Sequence, residues 1–338
     1  MTKHLVRRGV FREQPFCLVD VGASGGIDGY WEVFGDSLHV VGFDGLVKEV
    51  ERLNATTRKA HRTYYPFLVG SKDYHCPNGV PSTQPFPRSS AARAAEIANC
   101  NYAATYFDQT GSGLTATEMI ELDQFLLQDH PTDVDFIKVD TDGSDYQVLL
   151  GARQLLSAPQ VLGLGIECQF HGLVHDESNT FRNIDRFLTA RGFSLFDVEV
   201  YRYSRAQLPK EFMYRIPAQT HRGQVAWGDA LYLRDAGNPE YERDWSVKLS
   251  PHKIVKLACL FEIFGLEDCA AELLLKYRTA LSGLADVESC LDMLTPPIDN
   301  KKIPYRRYVE LFEKDPANFY PRDRAFARRA WAALRRAL

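Results

Sequence analysis

Five short runs of Val, Ile, Leu and Phe punctuate the first half of the chain: FCLVDVG (16–22), LHVVGFDG (38–45), TYYPFLVGS (63–71), VDFIKVDTDG (134–143) and VLGLGIECQF (161–170). Apolar residues fill successive positions rather than alternate ones, the pattern of strands buried on both faces. Between the last two runs, SDYQVLLGARQLLSAP sets Val148, Leu149, Ala152, Leu155 and Leu156 at helical spacing and stops at Pro159. Strands alternating with helices predict an α/β fold, a doubly wound, mostly parallel sheet with helices on both faces.

Further along the pattern changes twice. FSLFDVEVYRYSR and GDALYLRD alternate apolar and polar residues, as an antiparallel pair at a sheet edge does, so the sheet is expected to end near Asp235. Beyond DAGNPEY only helical patterns follow, as in PHKIVKLACLFEIFG. A boundary near 236–245 then divides a ligand-binding domain (1–240) from a C-terminal helical region (241–338). Residues 72–115, dense in Pro, Ser and Gly, read as an insertion or lid.

Composition adds bounds rather than identity. The 338 residues are 45% hydrophobic and 25% charged, those of an ordinary globular protein. No apolar run reaches the roughly 18 residues of a membrane span, and the first residues lack the apolar stretch of a secretory signal. A cytoplasmic location is expected. Seven scattered cysteines, without a CxxC pair, predict free thiols and no structural zinc. The net charge of −4 is uneven: residues 300–338 carry +7 and the remainder −11. An acidic body is not the footprint of a nucleic-acid enzyme.

Chemistry concentrates where strands end, because in open parallel sheets the loops there present free N–H groups to ligands. Gly22, Ala23, Ser24, Gly25 and Gly26 follow the first strand and let backbone approach a ligand closely. Their order does not match the GxGxxG of a dinucleotide loop. Asp20, just before the loop, would repel a pyrophosphate but suits a ligand carrying positive charge. S-adenosylmethionine, with its sulfonium and ammonium groups, is such a ligand. Asp44, with Gly45 beside it, ends the second strand where an acid can accept hydrogen bonds from a ribose, a role common to both ligand classes.

The fourth strand ends in Asp140 and Asp142, with Gly143 freeing the turn and Asp145 at the helix start. These acids fit a general base with its supports, a divalent metal site completed by Glu167, or plain turn and capping roles. Glu167 and His171 follow the fifth strand to the same edge, and a glutamate in a buried strand is the more informative of the two.

In this order LVDVGASGG, VVGFDG, VDFIKVDTDGSDYQVLLGA and LGLGIE resemble the FkbM family of S-adenosylmethionine-dependent methyltransferases, over roughly residues 16–235. The third stretch is the most specific, although Asp142 and Asp145 stand where that family usually has glutamates. The resemblance implies an O-methyltransferase acting on a hydroxyl of a sugar, glycan or related natural product. It places Asp20, Gly22, Ala23 and Asp44 around the cofactor, the 140–143 turn beside it, and leaves the region after 240 without a counterpart.

Methyl transfer is an in-line displacement in which the enzyme supplies alignment. Asp140, Glu167 and His171 are the residues expected to take the acceptor's proton, without a metal. Two other readings remain at this stage: a nicotinamide-dependent oxidoreductase, and a nucleotide-binding interaction module without catalysis. The tail PRDRAFARRAWAALRRAL (321–338) has an apolar stripe at Phe326, Ala330, Leu334 and Leu338 flanked by arginines. Such a helix fits docking on the acidic body or a homo-oligomer, or a peripheral contact with an anionic membrane.

Overall fold

The computed structural model describes residues 1–57, 61–72, 116, 118–141, 143–170, 179–203, 224–298, 300–316 and 319. Nearly all of the expected 72–115 insertion, Asp142, His171 and the basic tail lie outside these residues.

A seven-stranded sheet forms the centre, in the order β3-β2-β1-β6-β7-β9-β8. Its strands are β1 (Phe16–Val21), β2 (Leu38–Phe43), β3 (Arg62–Tyr65), β6 (Phe136–Val139), β7 (Gly163–Gln169), β8 (Ser194–Tyr203) and β9 (Gln224–Leu233). Strands β3 through β7 are parallel in register, and β9 is antiparallel to both β7 and β8. The chain moves outward from β1 through β2 to β3, then returns to place β6 on the other flank of β1. Strand order therefore reverses between β1 and β6, opening a crevice at their C-terminal ends.

Each buried strand sends alternate side chains into two cores. One face collects Phe16, Leu18, Phe136 and Leu233, and packs with Trp31 and Phe34 of the 3-10 segment Gly29–Ser37 and with the C-terminal helices. The other collects Val19, Val21, Ile137, Leu164 and Ile166 beneath the helices that connect the strands. The helix Pro251–Ile263, capped by Ser250 with proline at its start, buries Ile254, Val255, Leu257 and Leu260 in the first of these cores. The change of pattern near residue 240 is thus not a break in packing, because the helices after it complete one face of the sheet.

Two segments depart from their expected form. The run 63–71 is split at Pro66, which has no N–H for a ladder. The following β4 (Leu68–Val69) pairs instead with β5 (Met119–Ile120) in a separate two-stranded sheet. The helix expected within 144–159 is two, Asp145–Leu150 and Arg153–Ser157. Gly151 sits at the break, where a Cβ would stand 2.0 Å from the Gly70 carbonyl oxygen. The chain can pass there only as glycine.

Candidate active site

The loop after β1 is built from left-handed glycines. Gly22, Gly25 and Gly26 have φ of 83°, 85° and 84°, a region that side chains disfavour. Gly22 and Ala23 both donate to the Phe43 carbonyl, at 2.9 and 3.0 Å, which pins the loop to the end of β2. The Gly25 N–H donates to Glu49 of the next helix at 2.9 Å. Ser24 and Gly25 remain exposed at the crevice, with Ala23 buried beneath them.

Asp20 is nearly completely buried, at 3% exposure. Among the described residues its Oδ1 has no hydrogen-bond partner. The nearest cation is Lys138 of β6, with Nζ 3.6 Å from that oxygen, 3.3 Å from Asp140 Oδ2 and donating to the Gly22 carbonyl at 3.1 Å. Burial pushes the Asp20 carboxyl up to about 7 despite Lys138, which pulls the other way. Burial alone would lower the Lys138 ammonium, but Asp20 and Asp140 outweigh it and hold it above its ordinary value.

Asp44 is also buried and accepts from the Leu46 N–H at 2.8 Å and from the Ser24 backbone. Burial raises its carboxyl, and these two N–H groups partly offset the rise. Gly45, next in the chain, accepts from the Ala116 N–H at 3.0 Å. One carboxylate thus ties the glycine loop to the start of the following helix. An adenosyl donor fits this cradle: a buried carboxylate oxygen that makes no hydrogen bond among the described residues and has Lys138 as its nearest cation, a close-approach glycine loop, and an acid at the end of β2 in position to meet a ribose.

At the end of β6, Asp140 is half exposed and bridged to Lys138. Asp145 is fully buried and accepts from Thr141 N, Thr141 Oγ1, Gly143 N and Asn179 Nδ2. Burial pushes it up to about 6, against those donors. It shapes the turn around Gly143, whose φ is 112°. Among the described residues, no group of three or more His, Cys, Asp or Glu side chains is arranged to hold a metal ion.

Glu167 lies on β7 directly opposite Asp229 of β9, and Asp229 is directly opposite Glu199 of β8. Directly paired residues share a face, so three carboxylates form a row. The structure therefore brings Asp20, Gly22, Ala23, Asp44 and Asp140 to one crevice and sets Glu167 in an acidic row beside it.

Lys138, Glu49, Asn179 and Asp229 add contacts that strand-end reasoning did not single out. Lys138 leaves a trace in sequence, a lone cation inside the apolar run DFIKVD. Asp229 leaves none, since its place follows from strand register.

The mostly parallel seven-stranded sheet, with its helices and its strand-order reversal between β1 and β6, has the Rossmann-like fold of class I methyltransferases. The family model for the methyltransferase FkbM domain matches residues 20–195, and the chain belongs to that family. It is a methyltransferase whose methyl donor is S-adenosylmethionine, which sets aside the nicotinamide-dependent alternative.

Solved structures similar to it include the magnesium protoporphyrin IX methyltransferase ChlM from Synechocystis PCC 6803 with bound SAH. That chain is 9% identical, with 69% of this chain and 81% of that one covered and a TM-score of 0.31. A TehB-like SAM-dependent methyltransferase from Corynebacterium glutamicum is 12% identical, with 69% and 86% covered and a TM-score of 0.29. The N-methyltransferase NodS from Bradyrhizobium japonicum is 9% identical, with 69% and 93% covered and a TM-score of 0.29. No curated protein matches the chain. No helix among the described residues is long and apolar enough to cross a membrane.

Proposed function

We propose that the protein is an O-methyltransferase acting on a hydroxyl of a sugar, glycan or related natural product. When bound, S-adenosylmethionine supplies an electrophilic methyl group and leaves as a neutral thioether. The chain's own residues hold and orient. Asp44 accepts from the ribose, Asp20 offers to the donor's positive charge the oxygen that makes no hydrogen bond among the described residues, and the loop from Gly22 to Gly25 gives backbone contact. Gly45 and Gly143 keep the flanking turns free of side chains.

The observation that carries the oxygen-directed reading is Asp140. Its half-exposed carboxylate stands at the strand end beside the donor loop, with Lys138 as counter-ion. A hydroxyl loses its proton as it attacks, and a carboxylate in reach of the crevice lowers the barrier to that transfer. Glu167, in the next strand, is the second residue proposed to take this proton, and His171, outside the described residues, the third. No step of this reading calls for a metal.

The test is transfer from S-adenosylmethionine bearing a trideuterated methyl group to a panel of glycans and hydroxylated natural products, read by fragment mass spectrometry. Label on a hydroxyl oxygen is expected. Label confined to nitrogen or carbon acceptors would remove the proposal. Replacing Asp44 by Ala should weaken donor affinity by about 1–3 kcal/mol through loss of charged hydrogen bonds.

A further inference from the structure

We propose that Tyr201 and Trp227, on the β8–β9 hairpin, form an acceptor platform that seats the ring of an uncharged, polyhydroxylated acceptor beside the donor crevice. This rests on the O-methylation reading above and specifies where the acceptor lies.

The first ground is position. Strand β8 runs parallel to β7 through their shared neighbour β9, so Tyr201 lies near the C-terminal end of β8, at the edge where the donor loop sits. Trp227 is paired with Gln169 at the C-terminal end of β7. Along β9, Trp227 and Asp229 are two residues apart and point to one face. That face is shared with Glu167 and Glu199 by direct pairing, and through Gly165 paired with Lys138 it is the face of Lys138 and Asp20. The platform and the donor acids therefore continue one surface of the sheet beyond its apolar core.

The second ground is the shape and chemistry of the pair. The Tyr201 and Trp227 rings stack with centroids 5.7 Å apart and planes 18° from parallel. Tyr201 is 37% exposed, a large apolar surface at a sheet edge. Its hydroxyl donates to Asp229, which orients the ring and fixes that carboxylate. Asp229 feels Asp140 and Lys138 as well as Glu199, so the platform is electrostatically continuous with the crevice. Flat aromatic faces take the C–H face of a ring, while flanking carboxylates accept from its hydroxyls.

The third ground is charge and spacing. Glu167, Asp229 and Glu199 stand on adjacent strands, about 4.8 Å apart, a spacing comparable with the width of a sugar ring. Acceptors spread over three strands call for donors spread around a ring, which a polyol supplies, whereas the three N–H donors of one ammonium sit on a single atom. Among the described residues of this face, an anionic acceptor would meet these three and Asp140, while Lys138 is already engaged by Asp20 and Asp140.

The experiment uses the full chain with labelled S-adenosylmethionine on an array holding neutral, uronate-bearing, sialylated and amino-sugar glycans. Wild type, Tyr201→Ala and Trp227→Ala are compared, with S-adenosylhomocysteine affinity measured by calorimetry on each. Expected is label on neutral glycans, reduced roughly two- to tenfold in either variant, with nucleotide affinity unchanged. Tyr201→Phe, which keeps the stack and removes the hydroxyl, should fall between.

Equal transfer by the variants would overturn the platform and leave O-methylation standing. A preference for uronate, sialylated or amino-sugar glycans would overturn the charge argument. Failure of wild type to label any hydroxyl would overturn the O-methylation reading itself, and the platform with it. Loss of nucleotide affinity in both alanine variants would assign the pair to the fold and also overturn the platform.

Discussion

A side-chain carbon on Gly22 would stand 1.8 Å from the backbone carbonyl oxygen of Asp140. The donor loop after β1 and the end of β6 therefore touch backbone to backbone, and that contact fixes the width of the crevice. Gly22 also has φ of 83°, so steric contact and backbone conformation demand glycine independently. The nearby Gly25 shares the conformation, at φ 85°, but an added Cβ would meet nothing within 4 Å.

This contrast sets the first prediction. Gly22→Ala should cost more than about 3 kcal/mol, since backbone must move to relieve the clash. Gly25→Ala should cost roughly 1–2 kcal/mol, the conformational penalty alone. Urea denaturation of both variants checks the order, and similar losses in the two would mean that the Gly22–Asp140 contact is not rigid.

The buried Asp20 makes stability depend on pH. Its carboxyl is pushed up to about 7 in the folded chain, by burial first, above the ordinary 3.8. Between those values the folded state holds a proton that the unfolded state has released, so stability falls as pH rises from about 4 to 7 and is level above. Asp20→Asn removes this contribution, while the buried Asp145, pushed up to about 6, keeps one of the same sign below that pH. The variant should match wild type near pH 4 and exceed it above pH 7 by an amount that reaches at most on the order of 4 kcal/mol, while binding S-adenosylmethionine more weakly. Denaturation curves at pH 5 and pH 8 are the measurement. An asparagine variant that is no more stable at pH 8 would show that the Asp20 charge carries no folding cost.

Lys138 holds the positive charge between Asp20 and Asp140. S-adenosylmethionine carries one more positive charge than S-adenosylhomocysteine, so a lysine at this position opposes the donor more than the product. Lys138→Met should shift the ratio of the two affinities toward the donor by roughly five- to tenfold, and Lys138→Arg should restore the wild-type ratio. Calorimetry with each nucleotide decides it. Equal weakening of both would make Lys138 a support for the Gly22 carbonyl and nothing more.

How much of this was legible beforehand depends on whether a feature is local. The buried strands read directly from their apolar runs, and the loop after β1 from Asp20 and Gly22 standing two residues apart. Lys138 was visible as a charge in an apolar strand, but its partner Gly22 lies 116 residues away in the chain. The Glu167–Asp229–Glu199 row depends on register across a hairpin whose pairing shifts between Val200 and Arg202, and periodicity cannot locate such a shift. The C-terminal helices were the least legible. Lys253 and Lys256 resemble solvated helix charges, and what lies beneath them cannot be read from their own segment.

Beneath them lies Asp135, fully buried at the start of β6. Its Oδ1 accepts from Lys253 at 2.7 Å, and its Oδ2 accepts from Lys256 and from the Cys17 N–H, both at 2.8 Å. Lys253 also donates to the Val134 and Gln160 carbonyls, and Lys256 to that of Pro15. One carboxylate thus locks the helix Pro251–Ile263 onto β1 and β6, under the same face that carries Asp20 and Lys138. Removing a single partner from such a buried network leaves a charge uncompensated, so Asp135→Asn should cost about 3–5 kcal/mol. The helix and β6 also share an apolar core, so they should open together rather than as separate modules. Native-state hydrogen exchange of the full chain should then give the amides of Leu257 to Leu260 and of Ile137 to Val139 the same opening free energy, lowered equally in the asparagine variant. A helix that exchanges well before the strand would mean that the region after residue 250 unfolds on its own, and that the donor crevice does not depend on it.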